Sequence, residues 1–280
     1  MSTYVLSVVL FAALLHAFWN ALVKAGTETL FNTVLITSCA GLIAALALPW
    51  LPLPAPASWP YLGASVVAQV IYFALLAAAY RRGAMSQAYP LMRGSAPLLV
   101  ALASLPLTGE ALPVSAWLGI VAIGGGVLGL AGGMHNGAPR PVRTIALALL
   151  NATVIASYTL IDGLGVRLSA SPAAYTLWIF LLTALPLLGW VLLRRPRAFA
   201  GYARRRLHLG LLGGAGTLAS YGLALWAMTQ APIARVAALR ETSILFAAAI
   251  AVLFLGETLS LRRLLATLLI LAGAIALRLA

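Results

Sequence analysis

Two arginines of this 280-residue sequence lie inside apolar segments, where charged side chains are rare. Arg93 stands between Pro90 and Pro97, and Arg240 is followed directly by Glu241. An ionisable group in a membrane interior costs about 2.5–3.5 kcal/mol on insertion scales, so it normally faces a partner or a wet cavity. A guanidinium forms strong paired hydrogen bonds with carboxylates and phosphate-like groups. These residue types therefore predict an anion-recognition point at Arg93.

Two roles stay open for these buried charges. Arg93 either binds an anionic solute or pairs with Glu241 or Asp162 and only fastens two parts of the chain together. Adjacent helix residues point about 100° apart, so Arg240 and Glu241 do not face each other, and a pair between Arg93 and Glu241 is more plausible. A buried Glu241 could also accept a proton. We predict that Arg240 and Glu241 tune or gate the anion held by Arg93.

Other polar side chains inside apolar segments extend this candidate site. His16 and Asn20 are four residues apart, so they share a helix face that either lines a cavity or bonds a neighbouring helix. Asp162 lies nearer to a segment end, where interfacial water or Arg167 would satisfy it. The remaining candidates are side chains with polar groups that suit a cavity wall and helix packing equally well: Tyr72, Gln87, Tyr89, Tyr158 and Tyr221.

The sequence lacks the patterns of common catalytic and metal sites. It has no His/Cys/Asp cluster at metal-ligand spacing, no Gly-x-Ser-x-Gly elbow and no Walker lysine motif. We therefore expect no enzyme, no ATP hydrolysis, no metal and no cofactor. A proton or another ion remains possible as a coupling partner.

The elements that must position these side chains are ten apolar stretches. With 63% hydrophobic and 8% charged residues, the chain has far less charge than the roughly 25% of a soluble domain. Each stretch is long enough to cross about 30 Å of hydrocarbon. We therefore predict an all-α, multi-pass protein of the cell inner (plasma) membrane, in contact with membrane lipids. The predicted transmembrane helices are 4–24, 30–50, 60–80, 84–106, 113–132, 144–166, 172–193, 208–228, 234–255 and 261–279.

The net charge of +13 is placed in a way that fits a membrane rather than nucleic acid. Thirteen of the 18 Lys and Arg residues fall in odd-numbered connections between the segments, and the richest of these is 194–206. Positively charged loops stay in the cytoplasm. The distribution therefore predicts that both termini lie outside, and it predicts no nucleic-acid partner.

Two stretches of the chain, 147 residues apart, are versions of one another. Arg93 precedes a Gly-Glu pair at 109–110, and Arg240 precedes a Gly-Glu pair at 256–257. Each copy contains five apolar segments, an odd number, so the copies would enter the membrane in opposite orientations. Inverted repeats of this kind build transporter sites that open alternately to either side. We predict two inverted five-helix repeats, 1–137 and 138–280, around a central cavity in a single membrane domain.

Differences between the repeats predict different helices. Pro90 and Pro97 remove helix hydrogen bonds, which predicts a kinked fourth segment and a straighter ninth. The glycine-rich segment 113–132 favours close helix packing, either with the last segment or in a homodimer. Glu110 is predicted to cap the helix that follows it.

The repeated pattern resembles the EamA-type members of the drug/metabolite transporter superfamily. The resemblance rests on Pro97-Leu98 through Gly109-Glu110-Ala111-Leu112, on Ile244-Leu245 through Gly256-Glu257-Thr258-Leu259, and on the Trp19-to-Lys24 end of the first segment. It implies a secondary transporter of small metabolites, with its substrate cavity between the two halves. Members keep both termini in the cytoplasm, whereas the arginine distribution here predicts both outside. Their neutral residues at the positions of the intramembrane charges point to a charged substrate for this chain.

We therefore predict a secondary transporter that moves a small polar metabolite by alternating access. Its substrate would carry an anionic group, as an amino acid, organic acid or phosphonate does. The alternative is a lipid-linked-sugar flippase or an accessory membrane subunit, which would have a lateral opening between helices instead of a closed central cavity.

Overall fold

The protein is described by a computed structural model that covers residues 1–24, 28–82, 85–132, 142–255 and 260–280. Within these ranges the chain is helical and contains no strand. Two short 3-10 turns, Leu48–Trp50 and Pro56–Ser58, join the second helix to the third. The helices are α1 (Thr3–Lys24), α2 (Thr29–Ala47), α3 (Trp59–Arg82), α4 (Met85–Thr108), α5 (Val114–Gly132), α6 (Val142–Leu168), α7 (Pro172–Arg194), α8 (Pro196–Met228), α9 (Ile233–Arg240), α10 (Ser243–Leu255) and α11 (Leu261–Leu279).

The helices have the length and surface of membrane-spanning elements. In the described ranges, seven are long and apolar enough to cross a bilayer: α1 to α4 and α6 to α8. Two shorter apolar helices fall within α5 and α11. Large apolar side chains such as Leu102, Leu118 and Leu268 are exposed on the outside of the bundle. A surface of this kind is stable against lipid tails and unfavourable in water, so the prediction of a multi-pass, all-helical membrane protein is confirmed.

One interruption of a helix was not predicted. α4 is one helix through Pro90 and Pro97, whereas the predicted ninth segment is divided into α9 and α10. Backbone bonds at the division span three residues, from Glu241 N to Ala238 O (3.0 Å) and from Thr242 N to Leu239 O (3.1 Å). The Thr242 hydroxyl also donates to Leu239 O at 2.6 Å. A hydroxyl that bonds nearby backbone competes with the helix ladder, and this contact accounts for a break at the charged residues.

The basic segment after α7 also differs from the prediction. α8 begins at Pro196, well before residue 208, and bends at Arg206, where φ is −125° and ψ is 16°. Four of the six arginines predicted to form a surface connection, Arg197, Arg204, Arg205 and Arg206, therefore belong to the first turns of a long helix.

Close packing of α5 on α11 joins the last helices of the two halves of the sequence. A Cβ added at Gly126 would lie 2.8 Å from Ala266 O, and one at Gly273 would lie 2.6 Å from Gly119 O. The two backbones touch at both points, which only residues without a side chain there permit. The predicted packing of segment 113–132 on the last segment is confirmed. A homodimer through this helix stays a prediction, and its glycine-rich face is already covered by α11.

Short α9 lies in the interior of the bundle. All eight of its residues are buried, from Ile233 to Arg240, including two arginines. Its neighbours include α1, α4, α5, α6 and α8. Because α9 enters from one end of the bundle and stops after about 12 Å, it brings Arg240 to middle depth.

Candidate functional site

A cavity opens beside the end of α9. The cavity has a volume of about 140 Å³, enough for a cluster of waters or a small solute. Seven of the ten predicted site residues line it: His16, Asn20, Tyr72, Arg93, Tyr158, Tyr221 and Arg240. Residues that were distant in the sequence therefore face one space.

Three predicted residues lie elsewhere. Glu241 is buried behind the cavity wall, next to Arg93. Gln87 and Tyr89 belong to the first turns of α4, but their side chains lie outside the described part of the structure.

Arg93 has a carboxylate partner across the helix bundle. Its Nη2 lies 2.8 Å from Glu241 Oε1, which joins α4 to the turn between α9 and α10. The same nitrogen is 3.3 Å from His16 Nε2 on α1. A guanidinium has only donors, so this imidazole nitrogen accepts and His16 is neutral while the contact lasts. The interpretation of Arg93 as a fastening between helices has direct geometric support.

Arg240 is in a different situation. It is 8% exposed and its Cζ lies 5.1 Å from the centre of the Tyr221 ring, a cation–π contact. Within the described ranges no carboxylate lies at ion-pair distance from Arg240, and its Nε has no hydrogen-bond partner. The cavity therefore contains a buried cation that protein carboxylates do not neutralise directly.

Two neutral donors line the same cavity as this cation. The Trp19 indole N–H and the Thr183 hydroxyl are buried, line the cavity and lack a hydrogen-bond partner among the described residues. An unmet donor in the membrane interior is costly. A polar solute that accepts hydrogen bonds would satisfy both.

Sequence reasoning missed the wall that α2 and α7 contribute. Thr37 and Thr183 line the cavity together with Thr33, Phe180 and Thr217. Threonines inside an apolar helix usually bond a carbonyl of their own helix, as Thr37 does with Thr33 O at 2.9 Å. Their spacing alone therefore gives no signal of a cavity.

Asp162 is not at an interface, and Arg167 does not pair with it. The carboxylate is fully buried and accepts hydrogen bonds from the phenols of Tyr175 (3.3 Å) and Tyr221. The predicted pairing of Asp162 with Arg167 is therefore wrong. Packing of α6 against α3, α7 and α8 explains this, because it brings three helices around the residue.

Arg167 instead closes one end of the bundle with Glu110. Its guanidinium donates to Glu110 Oε1 (2.6 Å), Met228 O (2.8 Å) and Ala231 O (3.0 Å). The other oxygen of Glu110 accepts the backbone N–H of Ile233 at 2.9 Å. Glu110 therefore caps α9, not the helix that follows it in sequence as predicted. We call these contacts the locked end.

The C-terminus and two more loops meet at the locked end. Arg235 donates to Ala280 O at 3.2 Å, and Ala55 N donates to Ser169 O at 2.9 Å. Of the repeated Gly-Glu pairs, the first lies here, whereas the second, at 256–257, falls outside the described residues.

Comparison with known proteins settles the family. Residues 142–279, almost the whole second half of the chain, match the EamA-like transporter family. This part of the chain belongs to the family. The protein is therefore a membrane transporter of the drug/metabolite transporter superfamily, whose EamA-type members are transporters and not enzymes.

A solved crystal structure adds evidence on the fold. It is 19% identical, superposes with a TM-score of 0.79, and the match covers 100% of this chain and 99% of that one. At this identity the likeness concerns the fold alone. No curated protein matches this EamA-type sequence.

Proposed function

We propose that this EamA-type protein is a secondary transporter for a small polar solute that carries a carboxylate, phosphate or phosphonate group. Arg240 supports this most strongly, because it is a buried cation at the cavity wall without a carboxylate at ion-pair distance in the described chain. Leaving such a charge without an anion is costly in a medium of low dielectric. A solute anion would remove that cost.

In this proposal Arg240 is the first contact of the anion, and Arg93 has a second role. The Arg93–Glu241 pair neutralises one cation and fixes the turn that carries Arg240. An anion that approached Arg93 as well would compete with Glu241 for the same guanidinium. The Arg93–Glu241 pair would then tune or gate the binding of the anion at Arg240. This exchanges the roles predicted from the sequence, in which Arg240 and Glu241 tune the anion held by Arg93.

The remaining wall would select the uncharged part of the solute. The rings of Tyr72 and Tyr158 meet edge to face with their centres 6.0 Å apart, which gives the cavity an aromatic wall. Across the cavity, Trp19 and Thr183 offer donors to a hydroxyl, amide or carbonyl group. A small amino acid, organic acid or phosphonate suits this combination of one cation, two donors and an aromatic wall.

Alternating access would follow from two inverted five-helix units, 1–137 and 138–280. Helix contacts support the repeat, since α1 packs on α8 and its counterpart α6 packs on α3. The glycine contacts support it too, because Gly119 with Gly273 and Gly126 with Ala266 exchange under the offset of 147 residues. Ten spans, with α9 and α10 together forming one, would complete the arrangement.

In the proposed transport cycle, the two ends of the helix bundle would open and close in turn. The contacts of Glu110 and Arg167 close the locked end, so the opposite end, rich in arginine, is the side from which solute would enter this conformation. By the distribution of positive charge that side is the cytoplasm, and both termini lie outside. We propose the cell inner membrane as the location.

An uptake screen in proteoliposomes tests the proposed substrate class. Purified protein is given radiolabelled anions and their neutral partners, for example lactate against lactamide, alanine against alaninamide and methylphosphonate against its dimethyl ester. We expect uptake above protein-free vesicles for anion-bearing solutes alone. Uptake of the neutral partners without the anions, or flipping of a lipid-linked sugar analogue in place of either, overturns the proposal.

A further inference from the structure

Asp162 forms a second polar centre beneath the cavity. It stands six residues before the end of α6, between Arg240 and the locked end, and is 0% exposed. Oδ1 accepts the Tyr175 hydroxyl at 3.3 Å and Oδ2 accepts the Tyr221 hydroxyl. Every one of these donors is neutral. In the described chain, no lysine, arginine or histidine lies at ion-pair distance from this carboxylate.

The groups that face Asp162 come from each helix around α6. Tyr175 and Tyr221 belong to α7 and α8, and the Ser65 hydroxyl on α3 lies beside the carboxylate. Arg240 on α9 acts on it through space. The further titratable or charged groups of this region are Tyr61 on α3, Arg93 on α4 and Tyr158 on α6 itself.

Two hydrogen-bonded routes connect Asp162 to the cavity. Tyr221 lines the cavity with its ring and reaches the carboxylate with its hydroxyl. Gln69, also at the cavity wall, donates from Nε2 to Ser65 Oγ at 3.1 Å. The hydroxyls of Tyr221 and Ser65 therefore stand between the cavity wall and the buried acid, and each of them can pass a proton to it.

The charges around the cavity balance in two pairs. Arg93 and Glu241 neutralise each other directly, whereas Arg240 and Asp162 are opposite charges that the Tyr221 side chain keeps apart. A solute anion on Arg240 would leave the negative charge of Asp162 without compensation in a low-dielectric interior. Uptake of one proton by the Asp162 carboxylate restores the balance.

We propose that Asp162 is the proton-binding site of this transporter and that its protonation is coupled to anion binding at Arg240. This inference rests on the proposed transport of an anionic solute. The coupling is reciprocal: a bound anion raises the proton affinity of Asp162, and a bound proton raises anion affinity by the same factor. One anion and one proton then cross together, so that binding the two adds no net charge to the transporter.

The proton site is tested first without any solute. Infrared difference spectra of the full-length protein in lipid, recorded against pH, report the carbonyl stretch of a protonated carboxyl group. We expect one such band that Asp162→Asn removes and that Glu28→Gln, a change at an exposed carboxylate, leaves in place. In Arg240→Gln the band should appear at higher pH. A spectrum without an Asp162-dependent band at any pH that preserves the fold overturns the proposal.

Coupling is tested with the anion that the uptake screen identifies. One coupled proton per solute gives about tenfold accumulation for each pH unit across the vesicle membrane. Asp162→Asn should abolish this accumulation while unlabelled solute inside still drives exchange. Glu28→Gln, which removes an exposed carboxylate outside the site, should retain accumulation and serves as the matched control. Accumulation by Asp162→Asn at the wild-type ratio overturns the coupling.

The two proposals fail in different ways. If the Asp162 band titrates but no anion is transported, the proposed function is wrong and the proton site stands. If an anion is transported and pH gradients never drive it, the proton coupling is wrong and the proposed function stands.

Discussion

Arg93 and Arg240 hold equivalent places in the two halves of the sequence but have different surroundings. The residue after Arg93 is Gly94, and the residue after Arg240 is Glu241. Glu241 crosses the bundle to Arg93, and Arg240 faces the cavity with the Tyr221 ring as its contact. One carboxylate in one copy of the repeat thus separates a paired arginine from an arginine that can bind a solute.

Breaking the Arg93–Glu241 pair should destabilise the protein more than removing it. Arg93→Gln or Glu241→Gln leaves one charge buried alone, at a cost of about 3–5 kcal/mol. The double variant has no charge to bury and should recover much of this loss. Thermal unfolding of the three variants in the same detergent measures the difference. Equal melting temperatures for the single variants and the wild type contradict a direct pair.

Among the features of the helices, the interruption between α9 and α10 matters most for the site. It depends on the Thr242 hydroxyl, which bonds Leu239 O and so competes with the regular ladder. A continuous helix through residue 242 would turn Arg240 relative to Glu241 and away from the cavity.

Thr242→Val keeps the shape of the side chain and removes the hydroxyl. We expect slower solute uptake, because a more regular helix no longer directs Arg240 toward the cavity. Thr153→Val is the matched control, since its hydroxyl bonds Leu149 O at 3.1 Å on the exposed side of α6. Initial uptake rates in proteoliposomes compare the two. A rate for Thr242→Val equal to that of Thr153→Val speaks against this role of the turn.

Neighbouring glycines of α5 should respond differently to a methyl group. At Gly126 a Cβ would meet Ile270 Cγ1 at 2.6 Å and Ala266 O at 2.8 Å, so Gly126→Ala must separate α5 from α11. Overpacking of this kind costs about 1–3 kcal/mol. At Gly125 the nearest atom is Leu269 Cδ2 at 3.8 Å, an ordinary contact. Melting temperatures should fall for Gly126→Ala and hold for Gly125→Ala; a reversed order contradicts the packing.

The sequence was sufficient for the helices and for most of the cavity. The segments were predicted from the lengths of the apolar stretches. His16, Tyr221 and Arg240 were predicted because their polar groups are too costly to face lipid. The break after Arg240 was missed because it depends on one hydroxyl that competes with backbone N–H groups for one carbonyl. The prolines of α4 leave the helix continuous because each removes a single backbone bond, and the remaining bonds of the helix hold. The partners of Asp162 depend on packing among distant helices, which no local pattern contains.

At the scale of the whole molecule, the locked end closes the side of the bundle opposite to the one from which solute would enter the cavity. Glu110 and Arg167 connect the loop after α4 with α6 and with the start of α9. Opening this end requires those contacts to break, since they join elements from both halves of the chain.

Glu110→Gln should expose the cavity from the locked end, because it removes the carboxylate charge that holds Arg167. The reporter is Thr217→Cys, at the cavity wall, in a chain whose lone cysteine is changed by Cys39→Ala. An impermeant thiol reagent applied to each side of sealed vesicles should label the parent from the arginine-rich side and the Glu110→Gln variant from both. Glu28→Gln controls for the loss of a carboxylate. Unchanged labelling contradicts the role of the lock.

The anion affinity of Arg240 variants tests whether Arg240 is the anion site. The measurement is the KM of the transported anion in proteoliposomes for the wild type, Arg240→Gln and Arg204→Gln, which removes an exposed arginine of α8. Loss of a hydrogen-bonded charge contact should raise the KM of Arg240→Gln at least about tenfold, while Arg204→Gln keeps the wild-type value. An unchanged KM in Arg240→Gln would contradict the assignment of this arginine as the anion site.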